Sequence, residues 1–310
     1  MEVRFWEWMV NERCSAYLAW KQFNGSSVNR MAPGWSFDRF GMSQLTLSDG
    51  REMFIGGEHE DYYDRDFYIY NDVVVILPDG GVKIYGYSIE AFPPTDFHSS
   101  TLVGEDVVVI GSLGYSDQRQ ALFTPVFKLD SATLGFERIC TLGPCPGWLS
   151  KHRAVLDPSG RSITVRGGEI YTREGFTGVR ENFDEYRLDL DSWRWDRLTD
   201  HRWKQFQARC VGRKTFTISE FHILDSLLPD IQHEKVAPVE NDGDEDADAW
   251  RSQRIIVQDV TVRYSKNVDS ITLTIEGSLP EKVIANLIAD LQKKMTTAMN
   301  SKCIVEDLNL

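Results

Sequence analysis

The sequence of 310 residues lacks the features that many enzyme and membrane-protein classes require. It has no apolar run long enough to span a bilayer, no glycine-rich loop suited to phosphates, and no cysteine–histidine cluster with metal-ligand spacing. Its five cysteines are scattered and odd in number, which is not typical of a disulfide framework. Lysine and arginine total 34 against 47 aspartates and glutamates, and this net charge of −13 argues against duplex nucleic acid or an anionic membrane as a partner.

Two further absences bear on the cellular compartment and on whether the protein is an enzyme. The N-terminal residues show no secretory pattern, so we expect a cytoplasmic protein. No nucleophile elbow or other clean catalytic signature occurs, and we predict neither a cofactor nor a metal ion.

Three apolar strands that run into glycine organise the chain. Residues 53–57, 107–111 and 163–168 read MFIGG, VVVIG and ITVRGG. Gly56 and Gly111 are 55 positions apart, and Gly111 and Gly167 are 56 apart. A fixed period of about 50 residues predicts repeated supersecondary units. A strand ends in glycine where a tight turn or a close backbone approach leaves no room for a Cβ atom.

Each glycine lies within a longer repeat. A turn-like tetrad comes first (residues 40–43, 97–100 and 151–154), then a short apolar strand, a polar hairpin and the strand that ends in glycine. An alternating strand follows, and a large aromatic residue closes the second and third units. Trp195 comes nine positions after Tyr186, and Phe136 comes nine positions after Phe127.

Together these residues resemble kelch repeats, the four-stranded blades of galactose-oxidase-like β-propellers. The resemblance covers residues 39–198 and implies a mainly β fold with three clear blades, completed by closing or capping elements at its ends. On this basis we assign residues 1–228 to a kelch-like propeller domain. The sequence WKQF occurs at 20–23 and again at 203–206, so we expect these two flanks to pair and close or cap the array.

The rest of the chain differs in composition. Residues 229–249 are acidic and contain proline, which predicts a linker. Residues 250–310 predict a small α/β unit with the order ββαβ, whose helix begins near Pro280 and has one apolar face. Since about 60 residues are few for an independent core, we expect this unit to pack on the propeller, on a partner or on a second copy, most simply as a homodimer.

An acidic and aromatic loop follows the first glycine pair. Its carboxylates could bind a hard cation, but the spacing matches no calcium loop, and a recognition loop for a partner is the preferred interpretation. A third interpretation, a loop that is solvated and binds nothing, is equally compatible with the sequence. The candidate binding residues here are His59, Glu60, Asp61, Tyr62, Tyr63, Asp64 and Asp66.

Further candidates lie on other predicted loops and strand ends: Tyr115, Arg119, Trp148 and Arg166. Asp96 and His98 could act as a general acid and base. However, His98 and His152 occupy equivalent positions in successive repeats. We therefore expect both histidines to be structural. The aromatic residues of the first 38 positions are expected to pack under the first blade instead of forming a ligand platform.

Two functions of different classes remain. The preferred one is a protein-binding module, in which a rigid propeller presents loops to a protein partner. The alternative is an enzyme of the isomerase or hydrolase type that acts on a small polar substrate, such as a sugar, at the propeller mouth. The resemblance implies this alternative, because some kelch propellers are enzymes, and His59, Glu60, Arg119 and Arg166 are its candidates.

Overall fold

The computed structural model describes residues 4–23, 35–59, 67–171, 179–182, 184–199, 203–212, 223–235, 252–267 and 269–308. The chain divides into two compact units, Met1–Asp200 and His201–Leu310. The fold is mainly β, as the sequence predicts, and its sheets are antiparallel. No helix in the described ranges is long and apolar enough to cross a membrane.

The helices and strands of the first unit are, in chain order, α1 (Arg4–Asn11), α2 (Ala16–Gln22), β1 (Ser43–Thr46), β2 (Glu52–Ile55), β3 (Glu58–His59), β4 (Tyr68–Ile69), β5 (Asp72–Ile76), β6 (Val82–Gly86), β7 (Ser99–Val103), β8 (Asp106–Ile110), β9 (Val126–Asp130), β10 (Phe136–Arg138), β11 (Trp148–Ser150), β12 (Arg153–Leu156), β13 (Ser162–Arg166), β14 (Glu169–Tyr171), β15 (Val179–Glu181), β16 (Tyr186–Asp189) and β17 (Arg194–Arg197).

Three four-stranded antiparallel sheets follow one another along this unit. The first has the order β1-β2-β5-β6, the second β7-β8-β9-β10 and the third β12-β13-β16-β17. The predicted equivalence of the closing aromatics is present in the register, since Phe136 lies opposite Leu129 and Trp195 lies opposite Leu188. Two small sheets, β3-β4 and β11-β14-β15, lie between these strands in sequence.

The three sheets pack face to face because their central strands are apolar on both sides. On β8, Val107 and Val109 join a core with the first sheet, while Val108 and Ile110 join a core with the third. Trp195 is fully buried in the second of these cores, as the repeat predicts. Strand β8 therefore serves two interfaces, which explains its continuous valine and isoleucine run.

The sheets are also joined at the start of their first strands by a chain of backbone hydrogen bonds. The N–H of Phe97 donates to the carbonyl of Gly41 at 2.8 Å, and the N–H of Lys151 donates to that of Phe97 at 2.8 Å. These three residues share positive φ angles of 62°, 47° and 56°. The predicted turn tetrads thus contain a recurring left-handed residue that links one sheet to the next.

The N-terminal aromatic residues cover the free face of the first sheet. Met9 and Val10 of α1 pack with Phe37 against Phe54 and Val74, whose side chains point away from the second sheet. Trp6, Trp8 and Trp35 lie around this cluster. The packing interpretation is therefore confirmed for Trp6, Trp8 and Trp35, whereas Tyr17, Trp20 and Phe23 stay exposed. The sequence pattern did not predict helix α1.

The elements of the second unit are β18 (Lys204–Cys210), α3 (Ile223–Leu227), β19 (Glu234–Lys235), β20 (Ser252–Val257), β21 (Val260–Lys266), β22 (Ser270–Glu276), α4 (Glu281–Met299) and β23 (Cys303–Asp307). They form one six-stranded sheet with the order β19-β20-β21-β22-β18-β23. The predicted order ββαβ is therefore too simple. The first strand of that order corresponds to residues 254–264, which instead form a hairpin whose turn at Gln258 and Asp259 has φ angles of 48° and 63°.

The region after the third sheet belongs to the second unit. The second copy of WKQF leads into β18, whose two edges are taken by β22 and β23, while the first copy closes helix α2. β18 and α3 fall in the compact unit His201–Leu310, whereas the predicted propeller domain ends at residue 228. The pairing of the two flanks stays a prediction.

The apolar face of α4 packs on the sheet of its own unit. Ile284, Leu287, Leu291 and Met295 are buried in one core with strands β20 to β22. The homodimer stays a prediction, but this face does not supply its interface. Cys210 and Cys303, direct partners across β18 and β23, are joined by a disulfide that a separation of 93 residues did not reveal in the sequence.

Candidate functional site

The long connections of the three sheets all leave from one end, which we call the long-loop end. In each sheet the first and second strands, and the third and fourth, are joined by short turns. The second and third strands are joined instead through residues 56–71, 111–125 and 167–185. The left-handed link residues, such as Phe97, lie at the same end, since they precede the first strands. Long connections on a rigid scaffold are where binding residues concentrate.

The loop after β8 is held in place by two of the predicted residues. The indole N–H of Trp148 donates to the carbonyl of Leu113 at 3.0 Å. The guanidinium of Arg119 donates to the same carbonyl at 2.9 Å and to that of Gly114 at 3.0 Å. Trp148 and Arg119 therefore act first as braces of this loop, which makes its backbone a preformed part of the long-loop end.

Tyr115, on the same loop, contacts the small hairpin of β3 and β4. Its hydroxyl accepts a hydrogen bond from the backbone N–H of Ile69 at 2.9 Å. The ring of Phe67 meets the ring of Tyr115 edge to face, with centroids 5.9 Å apart. Three of the predicted residues, Tyr115, Arg119 and Trp148, are thus brought together around the second long connection.

A buried carboxyl group lies beneath this loop. Asp96 Oδ1 accepts hydrogen bonds from the N–H of Gly114 at 2.6 Å and the hydroxyl of Ser112 at 3.3 Å. The side chain of Glu58 also hydrogen-bonds to Asp96. Burial raises the pKa of Asp96, although these hydrogen bonds and the charge of Arg119 oppose the shift. Two neighbouring carboxyl groups of which one is desolvated can hold a proton between them.

Exposed aromatic rings lie beside this cluster. Phe40 is 63% exposed, and Phe67 and Tyr68 are 44% and 45% exposed. Phe40 forms a β-bridge with Glu58, while His59 pairs with Tyr68 on the neighbouring strand. Large rings left in solvent on adjacent backbone segments are a feature of interaction surfaces.

The remaining predicted site residues lie elsewhere or outside the described ranges. His59 is near the carbonyl of Asp38, with Nδ1 3.1 Å from that oxygen. Arg166 lies on β13, directly opposite Arg153 on β12, and within the described part of the chain no hydrogen bond or ion pair links it to the cluster around Asp96. Glu60, Asp61, Tyr62, Tyr63, Asp64 and Asp66 fall outside the described residues.

His98 and His152 repeat the same structural contact. Nε2 of His98 lies 2.7 Å from the hydroxyl of Ser43, and Nε2 of His152 lies 2.8 Å from that of Ser99. Each histidine therefore bonds a serine at the start of the preceding sheet's first strand. Burial lowers the pKa of His98 to about 3, with a further contribution from His152, and it lowers that of His152 to about 4. Both are neutral at physiological pH, as expected of structural residues.

Comparisons with known proteins add little to this geometry. No protein-family model matches the chain, and no curated protein matches it. The comparisons assign no family. A solved structure titled "Structure of YjhT" is 11% identical and covers 78% of this chain and 67% of its own, with a TM-score of 0.33. Among the described residues, no group of three or more histidine, cysteine, aspartate or glutamate side chains is arranged to hold a metal ion.

Sequence reasoning missed Glu58 and Phe40 as part of this site. Glu58 follows the glycine pair in the first repeat, and it hydrogen-bonds to Asp96, 38 positions further along the chain. No sequence motif connects the two residues. Phe40 was placed in a turn tetrad and not considered as a surface residue. The sequence does single out Asp96, but it groups Asp96 with His98. In the structure the carboxyl group of Asp96 hydrogen-bonds to Glu58 instead.

Proposed function

We propose that the first unit is a protein-binding module whose long-loop end docks a protein partner. In this proposal the three sheets are successive blades of a kelch-type propeller array, capped by α1 and α2. The observation that carries it is the group of exposed rings of Phe40, Phe67 and Tyr68 beside a braced loop. Aromatic side chains dominate binding energy at protein interfaces when a partner excludes water from them.

The rigidity of the loop supports the same proposal. Arg119 and Trp148 fix the backbone at Leu113 before any partner binds, and Asp96 fixes it at Gly114. A surface that is ordered in advance loses less conformational entropy on association than a mobile one. The long-loop end therefore combines exposed aromatic anchors with a preformed support.

Affinity capture from cell extract with matched variants tests this proposal. The double substitution Phe67→Ser and Tyr68→Ser should abolish capture of the proteins that the unaltered chain retains. The control is Ile84→Ser on β6, a strand at the edge of the first sheet, which also replaces a half-exposed apolar side chain by serine. Identical protein sets for all three chains would refute the long-loop end as the docking surface.

One observation favours the alternative, an enzyme acting on a small polar substrate. The pKa of Asp96 is raised by burial while Glu58 lies beside it, and such a pair can serve as acid and base. Against this, the guanidinium of Arg119 is engaged with the carbonyls of Leu113 and Gly114. A screen of sugars and their derivatives for turnover, lost in Glu58→Gln, would favour the enzyme over the binding module.

A further inference from the structure

The outer face of the third sheet carries a diagonal row of arginines, which we call the arginine row. It consists of Arg153 on β12, Arg166 on β13, Arg187 on β16 and Arg194 on β17, and all four are exposed. The opposite face of the same sheet carries Ile163, Val165, Leu188 and Trp195, which are buried against the second sheet.

The register of the strands fixes the spacing of the row. Arg153 lies directly opposite Arg166. Arg187 lies opposite Thr164, two residues from Arg166, and Arg194 lies two residues from Asp196, the partner of Arg187. Such diagonal neighbours are separated by about 7–8 Å in an antiparallel sheet. The four side chains therefore cross the sheet in one direct step, from Arg153 to Arg166, and two diagonal steps, to Arg187 and then to Arg194.

This arrangement works against the stability of the isolated sheet. Like charges directly opposite each other on neighbouring strands repel, and Arg153 and Arg166 are such a pair. Within the described ranges neither forms an ion pair, and Glu185, just before β16, forms none with Arg166. A positive row on a chain of net charge −13 is therefore not explained by the fold itself.

The carboxylates on the same face only partly balance the row. Asp196 pairs with Arg187 at 3.1 Å in an exposed salt bridge, the weak kind that a ligand can replace. Asp189 Oδ1 accepts hydrogen bonds from the N–H and hydroxyl of Ser192 at 2.8 and 2.6 Å. Asp189 also lies directly opposite Arg194, and Glu185 lies two residues before Arg187, so four guanidinium groups share this face with three carboxylates.

We propose that the arginine row binds an extended acidic peptide with carboxylates at every second position. In an extended strand, alternate side chains point to the same side and recur about every 6.6–6.8 Å, which is close to the diagonal step of the row. Guanidinium groups bind carboxylates through paired, charge-assisted hydrogen bonds. A polar face of this kind is unsuited to another apolar sheet, and the proposal does not depend on the long-loop end.

Fluorescence anisotropy with a labelled peptide of alternating glutamate and threonine tests the proposal. The full-length chain should bind it, and binding should weaken as salt is raised. Arg153→Gln with Arg166→Gln should weaken binding by about tenfold, as expected for the loss of two exposed ion pairs with some cooperation between them. The matched control is Arg161→Gln, which removes an exposed arginine of the turn before β13 that pairs with Asp191 outside the row.

Three outcomes would overturn the proposal. One is that the double variant, shown by circular dichroism to be folded, binds the peptide as tightly as the unaltered chain. Another is that a peptide of the same composition with its glutamates in one block binds equally well, since that indicates unspecific attraction. The last is that inorganic polyphosphate competes as strongly as the peptide, since the row would then recognise phosphate instead of a spaced set of carboxylates.

Discussion

Replacing Gly111 with alanine tests why glycine recurs at the end of each second strand. A Cβ atom at this position would lie 2.3 Å from the carbonyl oxygen of Leu149 and 2.8 Å from Cε1 of His152. That carbonyl accepts the N–H of Ser112 at 2.9 Å. The added methyl group must therefore displace the segment that links the second sheet to the third.

The expected loss has two parts. Alanine in a left-handed conformation costs about 1–2 kcal/mol, because φ at Gly111 is 78°. Moving the carbonyl of Leu149 breaks its hydrogen bond in a buried position, which costs about 1–3 kcal/mol more. The free energy of unfolding should fall by about 2–5 kcal/mol in total, since the two contributions add.

Gly160 is the matched control for this substitution. It has a φ of 72°, and a Cβ atom there would meet no atom within 4 Å. Gly160→Ala should therefore lose only the conformational part, about 1–2 kcal/mol. Urea unfolding of both variants measures the difference. Equal losses at the two positions would refute the explanation that a neighbouring sheet approaches the strand end.

Three further predictions concern buried side chains. Trp195→Ala should lower the free energy of unfolding by about 3–5 kcal/mol, and a loss below about 1 kcal/mol in urea would contradict its burial. The pKa values of His98 and His152 lie below the ordinary value, so the unfolded chain takes up protons first as pH falls below about 6.5. These two groups should remove about 4 kcal/mol of stability between pH 7 and pH 5, and replacing both by glutamine should remove that part of the dependence seen in urea titrations. The pKa of Asp96 is raised, so its ionisation opposes folding as pH rises. Asp96→Asn keeps an acceptor for Gly114 and can donate to Glu58, so it should raise the free energy of unfolding at pH 7 relative to that at pH 5. No change in that difference would contradict the shift.

The repeat was predictable from the sequence because each unit carries its own local signals. The glycine at a strand end, the polar hairpin and the aromatic nine positions later all depend on contacts within one sheet or with the next. Trp195 could therefore be assigned to a core before the structure was known.

The contacts that form the site are not local, and this is why most of it was missed. Asp96 meets Glu58 and Gly114 only because the left-handed link residues join the sheets at one end. Phe97 and Lys151 adopt positive φ angles without being glycine, so the sequence gives no sign of that link. Arg166 is a candidate for the propeller mouth in the enzyme hypothesis, whereas alternation along β13 places it on the outer face of the third sheet.

The second unit shows the limits of turn recognition. The hairpin between β20 and β21 turns at Gln258 and Asp259, a pair without glycine or asparagine, so the sequence carries no clear turn signal at this point. Residues 223–227 have too few positions for helical periodicity to appear. The assignment of β18 depended on partners that lie more than 60 residues further along the chain.

Site-specific photo-crosslinking tests most directly whether the long-loop end is the docking surface. A benzophenone side chain introduced in place of Phe67, which is already an exposed ring, should give cross-linked partner bands in cell extract. The same side chain in place of Ile84 on β6 should give none above background. Bands of equal intensity from both positions, or bands from Ile84 alone, would contradict the account.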